Sequence, residues 1–119
     1  MKLIRLSIAC VVLALTVGCA GHYLSTGLNN VQLGWSKSQF LQYFNGDGAV
    51  PPILRASQRQ SSGQIVEVFT LPMQEPNYTS VSYWFVFQGD RLVQWGRPED
   101  WQQVSGRYEI AFNPSASVN

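Results

Sequence analysis

The amino-terminal segment constrains this chain most, because its pattern is that of a segment removed before the protein folds. Lys2 and Arg5 precede a largely apolar run of 14 residues, 6–19, and the small residues Gly18 and Ala20 flank the cysteine that ends it. A charged start, an apolar middle and a small-residue cleavage site are typical of a secretory signal peptide. The run is too short for a membrane-spanning helix, which needs roughly 20 apolar residues.

The end of this segment, residues 15–19 (LTVGC), resembles the signal of bacterial lipoproteins. The resemblance implies that a diacylglyceryl group is attached to the Cys19 thiol, that the chain is cut before Cys19, and that the new amino terminus is acylated. Two or three acyl chains would then anchor the protein to a membrane without spanning it. Thr16 departs from the Leu usual three residues before the cysteine. In such Gram-negative proteins, Asp after the cysteine implies the inner membrane, so Ala20 implies the outer membrane, facing the periplasm.

Composition limits what the mature part can do. Removal of residues 1–18 leaves 101 residues, enough for one domain with one core. Six basic residues stand against seven acidic ones, a balance that does not attract nucleic acid. Cys10 leaves with the signal and Cys19 carries lipid, so we expect no disulfide, no cysteine nucleophile and no thiolate metal site in the domain.

The mature chain is predicted to have three parts. Residues 19–30 are small and polar, without helical or alternating period, and indicate a tether between lipid and domain. Residues 31–112 are predicted to form the domain, and residues 113–119 a polar tail. All 15 aromatic residues lie in the mature part, which supports a stable small core.

The sharpest local signal is a helix start. Ser36 and Gln39 have the spacing of a capping box, in which each side chain satisfies the other residue's backbone N–H. Trp35 before the cap and Phe40 four residues after it have the spacing of a hydrophobic staple. A short helix is therefore predicted to begin at Lys37, with Phe40, Leu41 and Phe44 on its buried face.

Two hairpins are predicted after the helix. Residues 53–59 and 64–71 have strand composition around a Ser-Ser-Gly turn, and Pro72 is expected to end the second strand. Residues 81–88 alternate strongly and lead through the two-residue loop Gly89-Asp90 into residues 91–95.

The remaining segment completes the predicted fold class. Residues 98–101 (PEDW) suit a helical turn with Pro at its start and acids in its first turn. Residues 107–112 are a candidate edge strand. A helix followed by antiparallel hairpins predicts an α+β fold, with a short N-terminal helix packed on a small antiparallel β-sheet of three to five strands.

The pattern of the domain resembles the BamE-like (SmpA/OmlA) family of outer-membrane lipoproteins. The resemblance covers about residues 31–96 and is carried by residues 31–40 (VQLGWSKSQF), 66–69 (VEVF), 83–87 (YWFVF) and 89–93 (GDRLV). Trp35 replaces the Met usual in that family. The resemblance implies a non-enzymatic envelope protein that binds another envelope protein and is accessory to the assembly of outer-membrane β-barrels.

An aromatic and arginine-rich surface is the candidate binding site. Trp and Arg are enriched where binding energy concentrates in interfaces. The candidate residues are Trp84, Arg91, Trp95, Arg97 and Trp101. Trp84 alternates with Tyr83 and Phe85, so it looks outward if the helix covers those two. The alternative, which the residues favour slightly, is a two-sided sheet that buries Trp84 beneath the C-terminal segment near Trp101.

Other chemistry has weaker support. The single histidine, His22, follows Cys19 closely and has no second metal ligand near it in sequence, so no metal and no cofactor are predicted. Glu67, between two valines, is more simply a solvent-facing residue or a partner for Arg55 or Arg59 than a catalytic acid. We therefore expect no enzymatic activity. Two alternatives remain open: a tethered small-ligand carrier or inhibitor with an apolar pocket, and an envelope hydrolase that uses Glu67.

Overall fold

The computed structural model describes residues 22–46 and 48–114 of the chain. The predicted signal peptide 1–18, the lipidation site Cys19 and residues 115–119 of the predicted tail lie outside these ranges. The predictions made for them therefore stay predictions.

The described residues form an α+β fold, which confirms the predicted class. The strands are β1 (Tyr23–Leu24), β2 (Ile53–Arg59), β3 (Ile65–Gln74), β4 (Ser80–Gln88) and β5 (Arg91–Gly96). The α-helices within the described residues are α1 (Lys37–Tyr43) and α2 (Trp101–Val104). Short 3-10 helices cover Ser25–Asn30, Pro98–Asp100 and Ser105–Arg107.

The long strand β3 is the centre of a five-stranded sheet. It pairs antiparallel with β4 from Val66 opposite Gln88 to Gln74 opposite Ser80, and β4 pairs antiparallel with β5. Its other edge is shared by β2, which is antiparallel, and by β1, which is parallel. The sheet is therefore mixed, and the prediction of a purely antiparallel sheet is corrected by this one short strand.

The strand β3 continues through Pro72, where the sequence predicted its end. On the edge that β3 shares with β2 and β1, pairing with β2 stops at Thr70 and pairing with β1 begins at Met73. Pro72 lies in the gap between these two neighbours, where no ladder partner requires its missing N–H. Proline is tolerated in a strand at such an unpaired position.

The predicted tether over residues 19–30 is wrong for the part that the structure describes. β1 pairs with β3, the Tyr23 ring meets the Phe44 ring edge-on at 5.1 Å, and the Leu28 side chain is buried in the core. The folded domain thus includes residues 23–30 and does not begin at residue 31. Pairing of β1 depends on backbone hydrogen bonds at the end of β3, and two apolar side chains are too few to produce a periodic pattern.

One face of the sheet is covered by α1. The Phe40 ring lies 4.8 Å from that of Phe85 and 5.1 Å from that of Phe87, centre to centre, and Phe44 is buried beside it. Complete burial of such a side chain contributes about 1.5–3 kcal/mol. Leu41, predicted to share this face, is instead exposed.

The predicted helix start is confirmed. Ser36 Oγ accepts a hydrogen bond from the Gln39 backbone N–H (3.1 Å), and Gln39 Oε1 accepts one from the Ser36 backbone N–H (2.9 Å). The helix begins at Lys37. Two N–H groups that the helix itself leaves without partners are satisfied in this way.

The opposite face of the sheet is covered by the C-terminal segment, so the fold has three layers. Trp101 and Val104 of α2 pack on Val66, Val68, Trp84 and Val86, and the side chains packed around them are Ala56, Val93, Tyr108, Ile110 and Phe112. The apolar face of β4 that the helix does not reach is thereby removed from water.

The predicted edge strand at 107–112 is wrong. Tyr108, Ile110 and Phe112 do alternate, but they pack on the face of the sheet instead of extending its edge. The buried side chain of Gln60 takes the place of a strand partner. Its Nε2 donates to the Glu109 carbonyl (3.2 Å), and its Oε1 accepts from the Glu109 N–H (2.8 Å).

Candidate functional site

The structure divides the predicted aromatic and arginine-rich surface into two groups. Trp84 is only 1% exposed and Trp101 only 3%, so neither belongs to a surface, and this part of the prediction is corrected. Trp84 lies under α2, as the alternative interpretation held. Its indole N–H donates to the Arg97 carbonyl (2.6 Å), which satisfies the polar atom of a buried ring.

Trp101 is the centre of the layer that covers Trp84. Its ring stacks near Tyr108 at 6.3 Å and meets Phe112 edge-on at 5.1 Å, and its N–H donates to the Phe112 carbonyl (2.9 Å). Both tryptophans are buried because the sheet has two apolar faces. Sequence alternation alone does not tell which face is covered.

The other three predicted residues, Arg91, Trp95 and Arg97, follow β5 from its first residue to just beyond its last. Arg91 is exposed, and its Nη1 donates to the Gly34 carbonyl (3.0 Å). Trp95 is half-buried, with its ring 6.2 Å from that of Tyr83. We call these three residues, together with the outer backbone edge of residues 93–96, the β5 edge.

The β5 edge is the end of the sheet in the part of the chain that the structure describes. Among the described residues, backbone hydrogen bonds from outside the sheet reach its start: the Gly34 N–H donates to the Leu92 carbonyl (2.7 Å), and the Leu92 N–H donates to the Trp35 carbonyl (2.8 Å). A β-bulge at Val93 follows this contact. An exposed strand edge offers backbone donors and acceptors to another chain.

Arg97, at the end of β5, is held by a cluster of polar side chains. Its Nη1 forms an ion pair with Glu75 and donates to the Tyr83 hydroxyl (3.2 Å), and its Nε donates to Glu99 (2.6 Å). The Tyr83 hydroxyl in turn donates to Glu75 (2.9 Å). The guanidinium carbon also lies 5.8 Å from the centre of the Tyr83 ring, within the range of a cation–π contact.

The charges of this cluster are fixed at neutral pH. Hydrogen bonds from Ser25, Tyr83 and Arg97 lower the pKa of Glu75, and the hydrogen bond from Arg97 lowers the pKa of Glu99. Hydrogen bonds to Glu99 and then to Glu75 raise the pKa of Arg97. At neutral pH the cluster therefore holds one cation and two anions, an arrangement that suits recognition and positioning better than proton transfer.

Arg97 keeps one donor group available. Its side chain is 42% exposed, and its side-chain hydrogen bonds within residues 22–46 and 48–114 use Nε and Nη1, which leaves Nη2 for a partner. A guanidinium with a free, oriented N–H₂ binds carboxylates and carbonyls of a partner. Arg97 and the half-buried Trp95 are thus the two residues of the β5 edge with the properties of interface anchors.

The loop between β3 and β4 lies beside this cluster and was missed as a site. The Tyr78 N–H donates to the Glu75 carbonyl (2.9 Å), and the Glu75 N–H donates to the Thr79 carbonyl (2.8 Å), so the loop is a tight, ordered turn. Tyr78 is 86% exposed and has a φ of 66°. An aromatic residue where a turn normally takes Gly or Asn is the signal that could have found it.

Two shallow clefts flank this loop. One, of about 210 Å³, is lined by Leu24, Thr26, Gln74, Glu75, Pro76 and Tyr78. The other, of about 370 Å³, is lined by Glu75, Pro76, Asn77, Thr79 and Arg97. A third cleft, of about 400 Å³, lies against the C-terminal segment and includes Trp101, Ser105 and Phe112. All three are open to solvent. The cleft lined by Leu24 and Tyr78 is mainly apolar, and the other two are mixed in polarity.

Glu67 has a partner that the sequence did not predict. It forms an ion pair with Lys37 at the start of α1 (Nζ to Oε1, 2.7 Å), and this contact raises the Lys37 pKa. Arg55 donates to Thr70 Oγ1 (2.9 Å) and Arg59 to the Gly63 carbonyl (2.9 Å), so the expected pairing of Glu67 with either arginine is wrong. The Glu67–Lys37 pair fastens the helix to the sheet.

Two further sequence interpretations concern metal binding and an internal pocket. His22 is exposed, and residues 22–46 and 48–114 contain no group of three His, Cys, Asp or Glu side chains placed to hold a metal ion. The space between α1 and the sheet is filled by the Phe40 and Phe44 rings. A pocket for a small apolar ligand at that position would require both rings to move.

No helix within the described ranges is both long and apolar enough to cross a membrane.

Comparisons with known proteins identify no relative. No family model matches the chain, no curated protein matches it, and no solved structure matches it. The fold and the site therefore define an α+β domain with a mixed five-stranded sheet, a helix on one face and a C-terminal layer on the other.

Proposed function

We propose that this chain is a bacterial envelope lipoprotein, anchored through lipid on Cys19 to the outer membrane and facing the periplasm. The observation that carries the proposal is the LTVGC sequence at residues 15–19, at the end of a charged and apolar signal. The first described strand begins at Tyr23, four residues after the cysteine. An anchor at Cys19 would hold the domain against the membrane surface instead of on a long tether.

The proposed role of the domain is non-catalytic binding of another envelope protein through the β5 edge. Three features of the described residues support it: the outer side of the strand beyond Leu92, the half-buried ring of Trp95, and the Nη2 of Arg97, which the hydrogen bonds of this guanidinium among those residues do not use. A partner segment could add backbone hydrogen bonds along residues 93–96 and place a carboxylate or carbonyl on Arg97. Trp84 and Trp101 support this edge from inside without contacting the partner.

Within this role, we propose an accessory part in outer-membrane β-barrel assembly or envelope integrity, in the manner of BamE-like proteins. The support is the resemblance of residues 31–40 and 83–93, which form the capped start of α1 and the β4–β5 hairpin. The α+β class is consistent with it. This assignment is more specific than the anchor and depends on it.

The alternative function, a tethered small-ligand carrier or inhibitor, has less support. Because packed rings fill the space between α1 and the sheet, a small ligand would have to bind in the open surface clefts, which bury little of it. A hydrolase that uses Glu67 is likewise disfavoured, because this carboxylate already forms an ion pair with Lys37.

The binding role is tested by cross-linking and pull-down from solubilised membranes of cells expressing the full chain. Arg91→Glu and Arg59→Glu form a matched pair, because each of these exposed arginines donates to a glycine carbonyl but only Arg91 belongs to the β5 edge. Arg91→Glu and Arg97→Ala are expected to lose the cross-linked partner, and Arg59→Glu to keep it. Recovery of the same partner by all three variants, each folded by circular dichroism, would refute the β5 edge as the binding surface.

The anchor is tested separately by cell fractionation. Cys19→Ser removes the thiol that would carry the lipid, so we expect the chain to lose its lipidation and its cleavage before residue 19. An unchanged apparent mass on electrophoresis, relative to the unsubstituted chain, would count against processing at this position.

A further inference from the structure

Tyr78 combines two unfavourable properties in one exposed residue. It is 86% exposed, and its backbone is in the left-handed region with a φ of 66°. Left-handed backbone is unfavourable for residues that carry a Cβ, and exposure of a phenol ring leaves apolar area in water. Gly or Asn would relieve the backbone at this position. A strained, exposed aromatic residue is a pointer to function.

The surroundings of Tyr78 are apolar on one side. Leu24 is 59% exposed and lines the same shallow cleft as Pro76 and Tyr78. We call these three residues the Tyr78 patch. Strand β1 brings Leu24 next to Gln74 at the end of β3, and the loop with Pro76 and Tyr78 follows directly. Two segments distant in sequence therefore meet in the patch.

The position of the patch relative to the proposed anchor is set by chain length. Leu24 is five residues after Cys19, and an extended chain spans at most about 3.6 Å per residue, or about 18 Å. A lipidated Cys19 therefore keeps the Tyr78 patch close to the headgroups. The turn at residues 60–64 lies at the other end of the ten-residue strand β3, about 30 Å away.

We propose that the Tyr78 patch is the membrane-contacting end of the domain, with Tyr78 and Leu24 in the headgroup region of the bilayer that holds the Cys19 lipid. This rests on the proposed lipid anchor. Tyrosine suits this region because its ring is apolar and its hydroxyl stays wet. The contact orients the domain, and it leaves the far end of the sheet, with Arg91 at the start of the β5 edge, free for a partner.

The size of the patch favours lipid over protein as its occupant. Three side chains are far less than the roughly 800 Å² per partner that a stable protein interface buries. A weak contact suffices on a membrane, because the anchor already supplies a high effective concentration of lipid. A second copy of this chain or a partner protein would need a larger surface than the one that Leu24, Pro76 and Tyr78 form.

The test uses the full lipidated chain in phosphatidylcholine vesicles that contain a headgroup-nitroxide lipid. Cys10 leaves with the signal and Cys19 is blocked by its thioether, so a fluorophore attached to Ser80→Cys or to Ser62→Cys is the only label. Ser80 lies beside the loop and Ser62 at the opposite end of the sheet. The Ser80→Cys label is expected to be quenched several-fold more strongly than the Ser62→Cys label.

A second pair of variants separates membrane contact from mere proximity. Tyr78→Gly and Leu24→Ser, made in the Ser80→Cys background, are expected to reduce quenching several-fold. Leu54→Ser removes an equally apolar exposed side chain on β2 and is expected to change nothing. Circular dichroism of each variant shows that the fold is kept.

Each other outcome contradicts the proposal. Equal quenching of the two labels, or no effect of Tyr78→Gly, would overturn it. Shielding of the Ser80→Cys label that depends on protein density would indicate a second copy, and shielding found only in native membranes would indicate a partner protein. The mass of the purified chain, measured first, distinguishes these failures from failure of the anchor: a chain without lipid refutes the proposed function itself.

Discussion

The indole of Trp84 on β4 lies edge-on against the indole of Trp101 on α2, with ring centres 5.1 Å apart and planes at 77°. This contact joins the sheet to the layer formed by the C-terminal segment. Both were candidate residues of the predicted surface, and the structure makes them a buried structural pair, as the alternative interpretation held for Trp84. The chain therefore depends on residues beyond β5 for a complete core, although the resemblance that suggested its fold covers only residues 31–96.

The first prediction concerns removal of one ring of this pair. Trp101→Ala deletes contacts with Trp84, Tyr108 and Phe112 and leaves a cavity under the C-terminal segment. Loss of a buried aromatic side chain costs about 3–5 kcal/mol. Urea unfolding is expected to show this loss, while Gln102→Ala on the exposed side of α2 changes stability little. A loss below about 1 kcal/mol for Trp101→Ala would mean that the C-terminal layer does not form.

The second prediction concerns the space that Trp84 occupies. A Cβ on Gly96 would lie 2.6 Å from Cζ2 of Trp84, on a rigid ring that cannot move aside cheaply. Gly96→Ala is therefore expected to destabilise the fold by about 1–3 kcal/mol through overpacking. Gly106→Ala is the matched control, because nothing lies within 4 Å of its added Cβ. Equal unfolding midpoints of the two variants would show that Trp84 is not packed against Gly96.

The third prediction concerns the backbone of Tyr78. Glycine removes the penalty of the left-handed conformation, and its own greater freedom in the unfolded chain offsets part of the gain. Tyr78→Gly is expected to raise the free energy of unfolding by about 0.5–1 kcal/mol. Thermal or urea unfolding measures this. A destabilised variant would show that the ring makes contacts that outweigh the strain, and the functional interpretation of Tyr78 would lose its basis.

The fourth prediction concerns stability at acid pH. Glu75 has a pKa below its ordinary value of 4.5 in the folded chain because Ser25, Tyr83 and Arg97 bond its charged form. Between the folded and unfolded pKa values the unfolded chain binds more protons, so stability rises with pH there. The contribution is fully present above 4.5 and is lost as pH falls through the folded pKa.

The corresponding measurement is the unfolding free energy as a function of pH. Glu75→Gln is expected to be less stable at neutral pH and to lose less stability on acidification than the unsubstituted chain. Glu99→Gln, whose side chain is 62% exposed, is expected to change the profile less. Parallel profiles for the unsubstituted chain and Glu75→Gln would show that Glu75 does not bond Arg97 in solution.

Local signals in the sequence predicted much of the fold. The capping box of Ser36 and Gln39 located the start of α1 to the residue, and the Gly89-Asp90 loop located the β4–β5 hairpin. These features can be predicted from sequence because each depends on residues no more than four positions apart. The strand at 53–59 was also predicted with its observed bounds.

The features that sequence reasoning missed depend on distant partners. β1 pairs with the free edge at the end of β3, and residues 108–112 are held on the sheet by Gln60, which bonds the backbone of Glu109, and by packing on Trp101. Neither contact leaves a periodic signal. The candidate site was predicted only in part for the same reason. The layer formed by α2 buries Trp84 and leaves Arg97 partly exposed, and the sequence around these two residues does not show where that layer packs.

The most direct test of the central claim is the intact mass of the mature chain purified from membranes, with tandem fragmentation of its amino-terminal peptide. The account predicts a chain that begins at residue 19, with a diacylglyceryl thioether on Cys19 and an acylated amino terminus. A mature chain that begins at another residue, or a free thiol on Cys19, would contradict it.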